Sequence, residues 1–210
     1  GLALKGDVAD AAFVQHAVAA TAEAFGAADV LVNNAGISLI VPAEQLSAAQ
    51  WQRVMDVNLL GPFLLCRDFG RAMLERGSGS IVNVASVAGL RGFGGTPSYV
   101  ASKHAVNGLT KNAAIDYAPF GIRVNSVNMA TTLTPMYERA REILKQRAMS
   151  GYKETGIGML KIDSLLQWSN QQRAGSTAAE QVAVMLFLLS PENSNLTGAN
   201  YATDGGFTTF

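Results

Sequence analysis

The chain has 210 residues, of which 49% are hydrophobic, 8% aromatic and 15% charged, with 21 Gly, 6 Pro and one Cys; its 16 basic side chains balance 16 acidic ones. This composition excludes a disordered or solvating chain, which needs low hydrophobicity and high net charge, and offers no general attraction to nucleic acid or anionic lipid. The longest aliphatic stretch, Val182 to Leu189, falls far short of the ~20 residues that span a bilayer, and no signal-peptide pattern opens the chain. The expectation is therefore one domain in the cytoplasm, with neither a membrane nor a nucleic-acid partner. Its charged fraction lies below the roughly 25% usual for soluble domains, which points to surface covered by other subunits and hence to a homo-oligomer. Cys66, in the apolar run Phe63-Leu64-Leu65-Cys66, has no second cysteine to pair with and reads as a buried free thiol in a reducing compartment.

Leu2-Ala3-Leu4-Lys5-Gly6 is strand-like, and the alanine-rich stretch from Ala9 to Phe25 reads as a helix. Asp29-Val30-Leu31-Val32-Asn33 follows as a buried strand ended by Asn34-Ala35-Gly36. Ser47 to Arg76 reads as one long helix with Ser47 as N-cap, and Ser80-Ile81-Val82-Asn83-Val84-Ala85-Ser86 as the next strand, ended by Gly89. Thr96 to Tyr117 is a helix with Thr96 as N-cap and Pro97 in the first turn. Ile122 to Val127 is a further strand, Thr177 to Leu189 the last helix, stopped by Pro191, and Asn200 to Thr203 a short last strand. Asp204-Gly205-Gly206 then shapes a C-terminal turn. Strands alternating with helices predict an α/β domain, a parallel sheet with helices on both faces. Between Pro135 and Gln172 apolar and charged residues interleave, as in an insertion folded over a site.

In an open parallel sheet, ligands bind beyond the carboxyl ends of the strands, which draws attention to Asn33-Asn34-Ala35-Gly36 and Ser86. The helix that follows carries Tyr99-Val100-Ala101-Ser102-Lys103. Tyr99 and Lys103, four apart, share a helical face, and an ammonium beside a phenol favours the phenolate, so Tyr99 becomes usable as an acid or base. Asn58 stands four residues before Pro62, which cannot donate to its carbonyl; either that carbonyl anchors an ordered water, or Pro62 bends a long helix and Asn58 caps the break. Ser86 either begins a turn or takes part in chemistry, and Gly36 either supplies a positive φ in a turn or lines a groove. Asp7 either caps a helix or meets a ligand. His16 and His104 have no partners at metal-ligand spacing, so no metal site is expected.

Through Asn33-Asn34-Ala35-Gly36, Asp56-Val57-Asn58-Leu59, Ile81-Val82-Asn83-Val84-Ala85-Ser86, Tyr99-Val100-Ala101-Ser102-Lys103 and Arg123-Val124-Asn125, the sequence resembles the short-chain dehydrogenase/reductase family over nearly its whole length. The resemblance implies a doubly wound Rossmann-like fold, commonly tetrameric and otherwise dimeric, that uses NAD or NADP to interconvert small-molecule alcohols and carbonyls. Carried over by motif, Tyr99 is the acid/base, Ser86 holds the substrate oxygen, Lys103 binds the nicotinamide ribose and tunes Tyr99, and Asn58 anchors a water-linked proton relay. Asp7, Asn34, Ala35, Gly36 and Thr134, with Tyr99 and Lys103, are the implied cofactor contacts. Residues 135–172 correspond to a substrate lid.

The sequence departs from the family's pattern in two places. No glycine-rich phosphate loop follows a first strand, and Gly92-Phe93-Gly94-Gly95-Thr96-Pro97 is no substitute, since it neither ends the first strand nor supplies the third glycine. Roughly two strands and two helices, on the order of 50 residues, are lacking by the size of βαβ units, so the sequence reads as an incomplete single domain, 1–210, of a longer enzyme and is expected to be inactive alone. The residue that separates NAD from NADP falls in that missing part. Met129-Ala130 also stands where the family usually has Pro-Gly. The alternative from another class is a non-catalytic remnant or interaction subunit of the same fold that has lost dinucleotide binding.

Overall fold

The computed structural model describes residues 1–149 and 175–209. Its elements in chain order are α1 (Ala11–Phe25), β1 (Val30–Asn33), α2 (Ala48–Met55), a π-helical turn (Asp56–Leu60), α3 (Gly61–Arg76), β2 (Gly79–Val84), α4 (Pro97–Tyr117), β3 (Ile122–Met129), α5 (Pro135–Met149), α6 (Ala178–Leu189) and β4 (Asn200–Thr203). The four strands form one sheet in the order β1-β2-β3-β4, every pair parallel. Each link between neighbouring strands is thus a helical crossover, as the sequence pattern predicts.

Successive residues of β2 separate the two faces of the sheet. Ile81 packs with Leu31, Cys66, Met73, Ile122 and Val124 in the core beneath α3 and α4, whereas Val82 and Val84 pack with Val127, Met185 and Leu188 beneath α6. Such a sheet, covered on both sides, needs continuous apolar runs, which β2 and β3 supply. On β1 the α6 face stays open, with Val30 and Val32 exposed and Leu31 and Asn33 buried.

Local chemistry sets the helix starts. Ser47 and Gln50 form a reciprocal capping box at α2, and Thr177 and Glu180 do the same at α6. Asp10, not Asp7, caps α1 through the Ala12 N–H. Thr96 occupies the N-cap position of α4 without capping; its hydroxyl donates to the Phe93 carbonyl. The expected single helix from Ser47 to Arg76 is divided by the π turn, in which the Gly61 N–H reaches the Asp56 carbonyl. Leu2 to Gly6 forms no strand, because no neighbouring strand pairs with it in the sheet.

The Arg123-Val124-Asn125 motif proves to be a clamp on the C-terminal segment. Arg123 donates to the Leu188, Leu189 and Ser190 carbonyls at the end of α6, where a cation also suits the helix dipole. Asn125 takes the Leu196 carbonyl at 2.7 Å and the Ala199 N–H at 3.1 Å, which steers the chain into β4.

Candidate active site

The site is assembled at the carboxyl ends of β1, β2 and β3, against the first half of α4. The buried residues of α4 recur at helical spacing, but they change character along the helix. Ser98, Ser102, Lys103, Asn107 and Thr110 precede Ala113 and Ala114. A polar stripe buried this thoroughly needs partners, and those partners define the site.

Ser86 lies two residues beyond β2 and caps a short 3₁₀ turn, Val87–Gly89, its Oγ accepting from the Ala88 N–H at 3.1 Å. Its hydroxyl lies near the Tyr99 phenol, and both residues line one cavity. Burial pushes the phenol above its ordinary pKa, and the nearby Ser86 hydroxyl, which favours the phenolate, acts in the opposite direction. The expectation that the lysine spacing governs Tyr99 is therefore too simple. Lys103 Nζ stands 5.6 Å from the centre of the Tyr99 ring and donates to the Val84 carbonyl at 2.7 Å. Burial lowers its pKa from the usual 10.5 to about 8.

Asn58 comes to the same place from the π turn. Its Oδ1 accepts the Ile37 N–H at 2.8 Å, and its Nδ2 donates to the Ile37 carbonyl at 2.9 Å and to Ser102 Oγ at 3.0 Å. The side chain does not cap a helix break; its amide pairs with both backbone groups of Ile37. Gly36 has no positive φ. A Cβ there would sit 3.4 Å from Asn58 Oδ1 and 3.7 Å from Lys103 Nζ, both ordinary contact distances, so crowding does not demand the glycine either.

Two supporting networks were not visible in the sequence. Asn33 donates to Asn83, and Asn83 to Thr110, at 2.8 and 3.0 Å, which ties β1 and β2 to α4. Asn107 donates to the Gly89 carbonyl at 3.0 Å and to Asn128 Oδ1 at 2.8 Å, while its own Oδ1 accepts from Ser126. It thereby fixes the Ser86 turn against the end of β3. For the first network the available signal was Asn33 and Asn83 inside predicted apolar strands; Asn107, on a helix, offered none.

The other predicted residues are more scattered. Asp7 binds the Ala9 N–H, which lowers its pKa together with Arg53, its ion-pair partner at 2.7 Å. Asn34 and Ala35 are exposed beyond β1. Thr134 accepts the Tyr137 N–H at the start of α5. Cys66 is buried as expected, and burial pushes its thiol up to about 12. His104 is exposed and contacts the Val100 carbonyl. Among the described residues no cluster of three or more potential metal ligands occurs, and no helix is long and apolar enough to cross a membrane.

Ser86 and Tyr99 open into a cavity of about 260 Å³. Ile40, Val87, Phe93, Ala130, Ala140 and Leu144 supply most of its apolar wall, with α5 contributing the last two. The buried Lys103 lies beside Gly36, where a Cβ would come 3.7 Å from its Nζ. Phe93 and Gly94 of the glycine run 92–95 lie on the cavity wall.

The family model for short chain dehydrogenases matches residues 2–145. The chain is 41% identical to a 3beta-hydroxysteroid dehydrogenase of Mediterraneibacter gnavus, over 99% of this chain and 76% of that protein. In structure it is similar to levodione reductase, with a TM-score of 0.85, 37% identity and coverage of 96% of this chain and 74% of that one. It is likewise similar to ElxO with NADP bound, at a TM-score of 0.83, 29% identity and coverage of 99% and 78%. Sequence, sheet topology and the Ser86–Tyr99–Lys103 grouping agree: the chain is a member of the short-chain dehydrogenase/reductase family of oxidoreductases.

Proposed function

We propose that the protein interconverts a cyclic secondary alcohol and its ketone, with Tyr99 exchanging the proton of the substrate oxygen. The observation that carries this reading is the placement of Ser86 and Tyr99 together on the wall of an apolar cavity, with the buried Lys103 on the same helix as Tyr99. A nicotinamide dinucleotide, NAD or NADP, supplies or accepts the hydride when bound. Ser86 holds the substrate oxygen within reach of the Tyr99 hydroxyl. Lys103 holds the ribose and places positive charge near the phenol as the proton leaves it. Asn58 fixes the loop after Gly36, and its carbonyl, which Pro62 cannot partner, anchors the water that passes protons onward. Asp7, Asn34, Ala35, Gly36 and Thr134 complete the proposed cofactor contacts.

The breadth of the cavity and its Ile40, Phe93 and Leu144 lining favour ring-shaped substrates, in keeping with the hydroxysteroid and levodione specificities in the names of the two relatives. Exposed Ile115 and Phe120 at the end of α4, and Leu186 and Phe187 on α6, support self-association. The test is oxidation of a panel of 3-hydroxysteroids and alicyclic alcohols by the full-length protein with NAD⁺ or NADP⁺, followed by nicotinamide absorbance. Turnover of a ring alcohol that disappears in Tyr99→Phe is the expected result. No turnover with either cofactor, or turnover indifferent to Tyr99→Phe, would overturn the proposal.

A further inference from the structure

Two sequence features have no role in the chemistry above: the glycine-flanked Phe93 and the Asp204-Gly205-Gly206 turn. They meet in space. Phe93 lines the cavity, and its ring stacks on Phe207 with centroids 5.7 Å apart and planes 22° from parallel. This is an offset arrangement that aromatic pairs prefer, and it fixes ring orientation as well as position. The Arg91 guanidinium lies 6.0 Å from the centre of the Phe207 ring, within the reach of a cation–π contact.

The C-terminal turn is built to hold Phe207 there. The buried Asp204 carboxylate accepts the N–H groups of Gly206 and Thr208 and the Thr208 hydroxyl, and the Phe207 N–H returns to the Asp204 carbonyl at 3.2 Å. Gly205 and Gly206 both take positive φ, at 60° and 89°, which lets the chain double back within four residues. Phe93, by contrast, sits between two glycines in a segment without regular structure, so its own backbone does little to orient its ring. The order needed on the cavity wall therefore comes from Phe207, which is not among the residues lining the cavity.

We infer that Phe207 is a specificity-determining positioning residue: by stacking on Phe93 it sets the aromatic wall against which a ring-shaped substrate lies. The inference rests on the proposed alcohol–ketone activity and adds which part of the chain selects the ring. Small acyclic alcohols need only the Ser86–Tyr99 pair, whereas ring alcohols also need the wall.

Cyclohexanol and 2-propanol, assayed with the same cofactor, separate these requirements. Phe207→Ala is expected to raise KM for cyclohexanol about tenfold, the scale of one lost hydrophobic contact, while kcat and the kcat/KM for 2-propanol stay within about twofold. Phe207→Tyr, which keeps the ring, should behave as wild type. In a Phe93→Ala background, Phe207→Ala should add nothing further, because the residue through which it acts is gone. Should the alanine variant unfold, Phe207→Leu carries the same test, since it keeps apolar bulk without a stacking plane. An unchanged KM for cyclohexanol, or a loss that persists in full without Phe93, overturns the assignment while leaving the activity standing. Failure of the wild type to oxidise either alcohol overturns the activity and the assignment with it.

Discussion

Asn58 and Ser102, 44 residues apart, are joined by a 3.0 Å hydrogen bond that fastens the π turn to the helix bearing Tyr99 and Lys103. Ser102 in turn donates to the Tyr99 carbonyl at 2.8 Å, so the loop after β1, the π turn and the first turns of α4 form one hydrogen-bonded unit. A π turn places its side chains about 100° out of α-helical phase per inserted residue, and such insertions recur at functional sites. Here it turns Asn58 toward Ile37.

The two bonds to Ile37 make Asn58 the more costly residue to lose. Asn58→Ala strands a backbone donor and an acceptor in a partly buried place, at about 1–3 kcal/mol each. Ser102→Ala removes two side-chain bonds, the one from Asn58 and the one to the Tyr99 carbonyl, worth about 1 kcal/mol each, and leaves the Ile37 pairing intact. Urea denaturation of the two variants should rank them in that order, and kcat should fall further for Asn58→Ala. Equal stabilities would show that the Ile37 pairing contributes little.

Tyr99→Phe keeps the ring and its packing while removing the hydroxyl beside Ser86. Turnover should fall by at least about a hundredfold, the usual contribution of a positioned acid or base, with cofactor affinity nearly unchanged. Lys103→Ala should impair both, because it removes the buried cation from the cofactor side as well as from the vicinity of the phenol. Steady-state rates together with calorimetric cofactor titration distinguish the two patterns. Near-normal rates in Tyr99→Phe would remove it from the proposed chemistry.

Lys103 also leaves a signature in the stability of the cofactor-free protein. Its ammonium titrates near pH 8 when buried in the fold and near its usual 10.5 in the unfolded chain. Between those values the unfolded state binds more protons, so the Lys103 contribution makes stability rise as pH increases from about 8 to about 10.5. Below that window both states are protonated and the burial penalty is present in full. Lys103→Met should be more stable than wild type at pH 7, and its advantage should shrink as pH approaches 10. Urea midpoints at several pH values measure the difference, in which the other titrating groups largely cancel. A constant difference across the window would mean that Lys103 is not held in a desolvated state.

What could be read from the sequence was whatever depends on order and spacing. Ser86 follows an apolar strand and Tyr99 opens the next helix, so their meeting required only that the sheet be parallel. Tertiary packing decided the rest. Leu2 to Gly6 has strand composition, but a strand exists only where a neighbour accepts its backbone bonds. The proline after Asn58 suggested a kink, while the chain resolved the same conflict with a π turn. For Gly36 the residue type cannot tell a positive-φ turn from a groove position, and its φ rules out the first. The pKa of Tyr99 was misjudged because helical spacing brings Lys103 near but says nothing of how deeply the phenol is buried. The polar hubs Asn83 and Asn107 resemble surface residues on the strand and helix that carry them until the elements are packed together.

The remaining prediction concerns α5. Tyr137, Ala140, Arg141 and Leu144 form a half-buried stripe at helical spacing, and Ala140 and Leu144 close one side of the cavity. Among the described residues none of them belongs to either core cluster, and α5 there lies against the cavity wall rather than the sheet. Its approach is nevertheless anchored: Ser176 bonds with Thr131 and Leu133 through backbone groups at 2.9 Å, and Gln181 donates to Ser176 Oγ at 2.8 Å. Firm anchoring next to a helix with little core contact is the arrangement expected of a lid that opens as a unit. In hydrogen exchange on the full-length protein, the α5 amides should therefore exchange much faster than those of β2 and β3 without ligands. They should gain protection when cofactor and cyclohexanone are present together, because only then is the cavity filled beneath Ala140 and Leu144. Leu144→Ala should weaken that gain without changing the exchange of the sheet. Equal protection of α5 with and without ligands would mark it as a fixed wall, and the size of the accepted ring would then be set by the cavity as it stands.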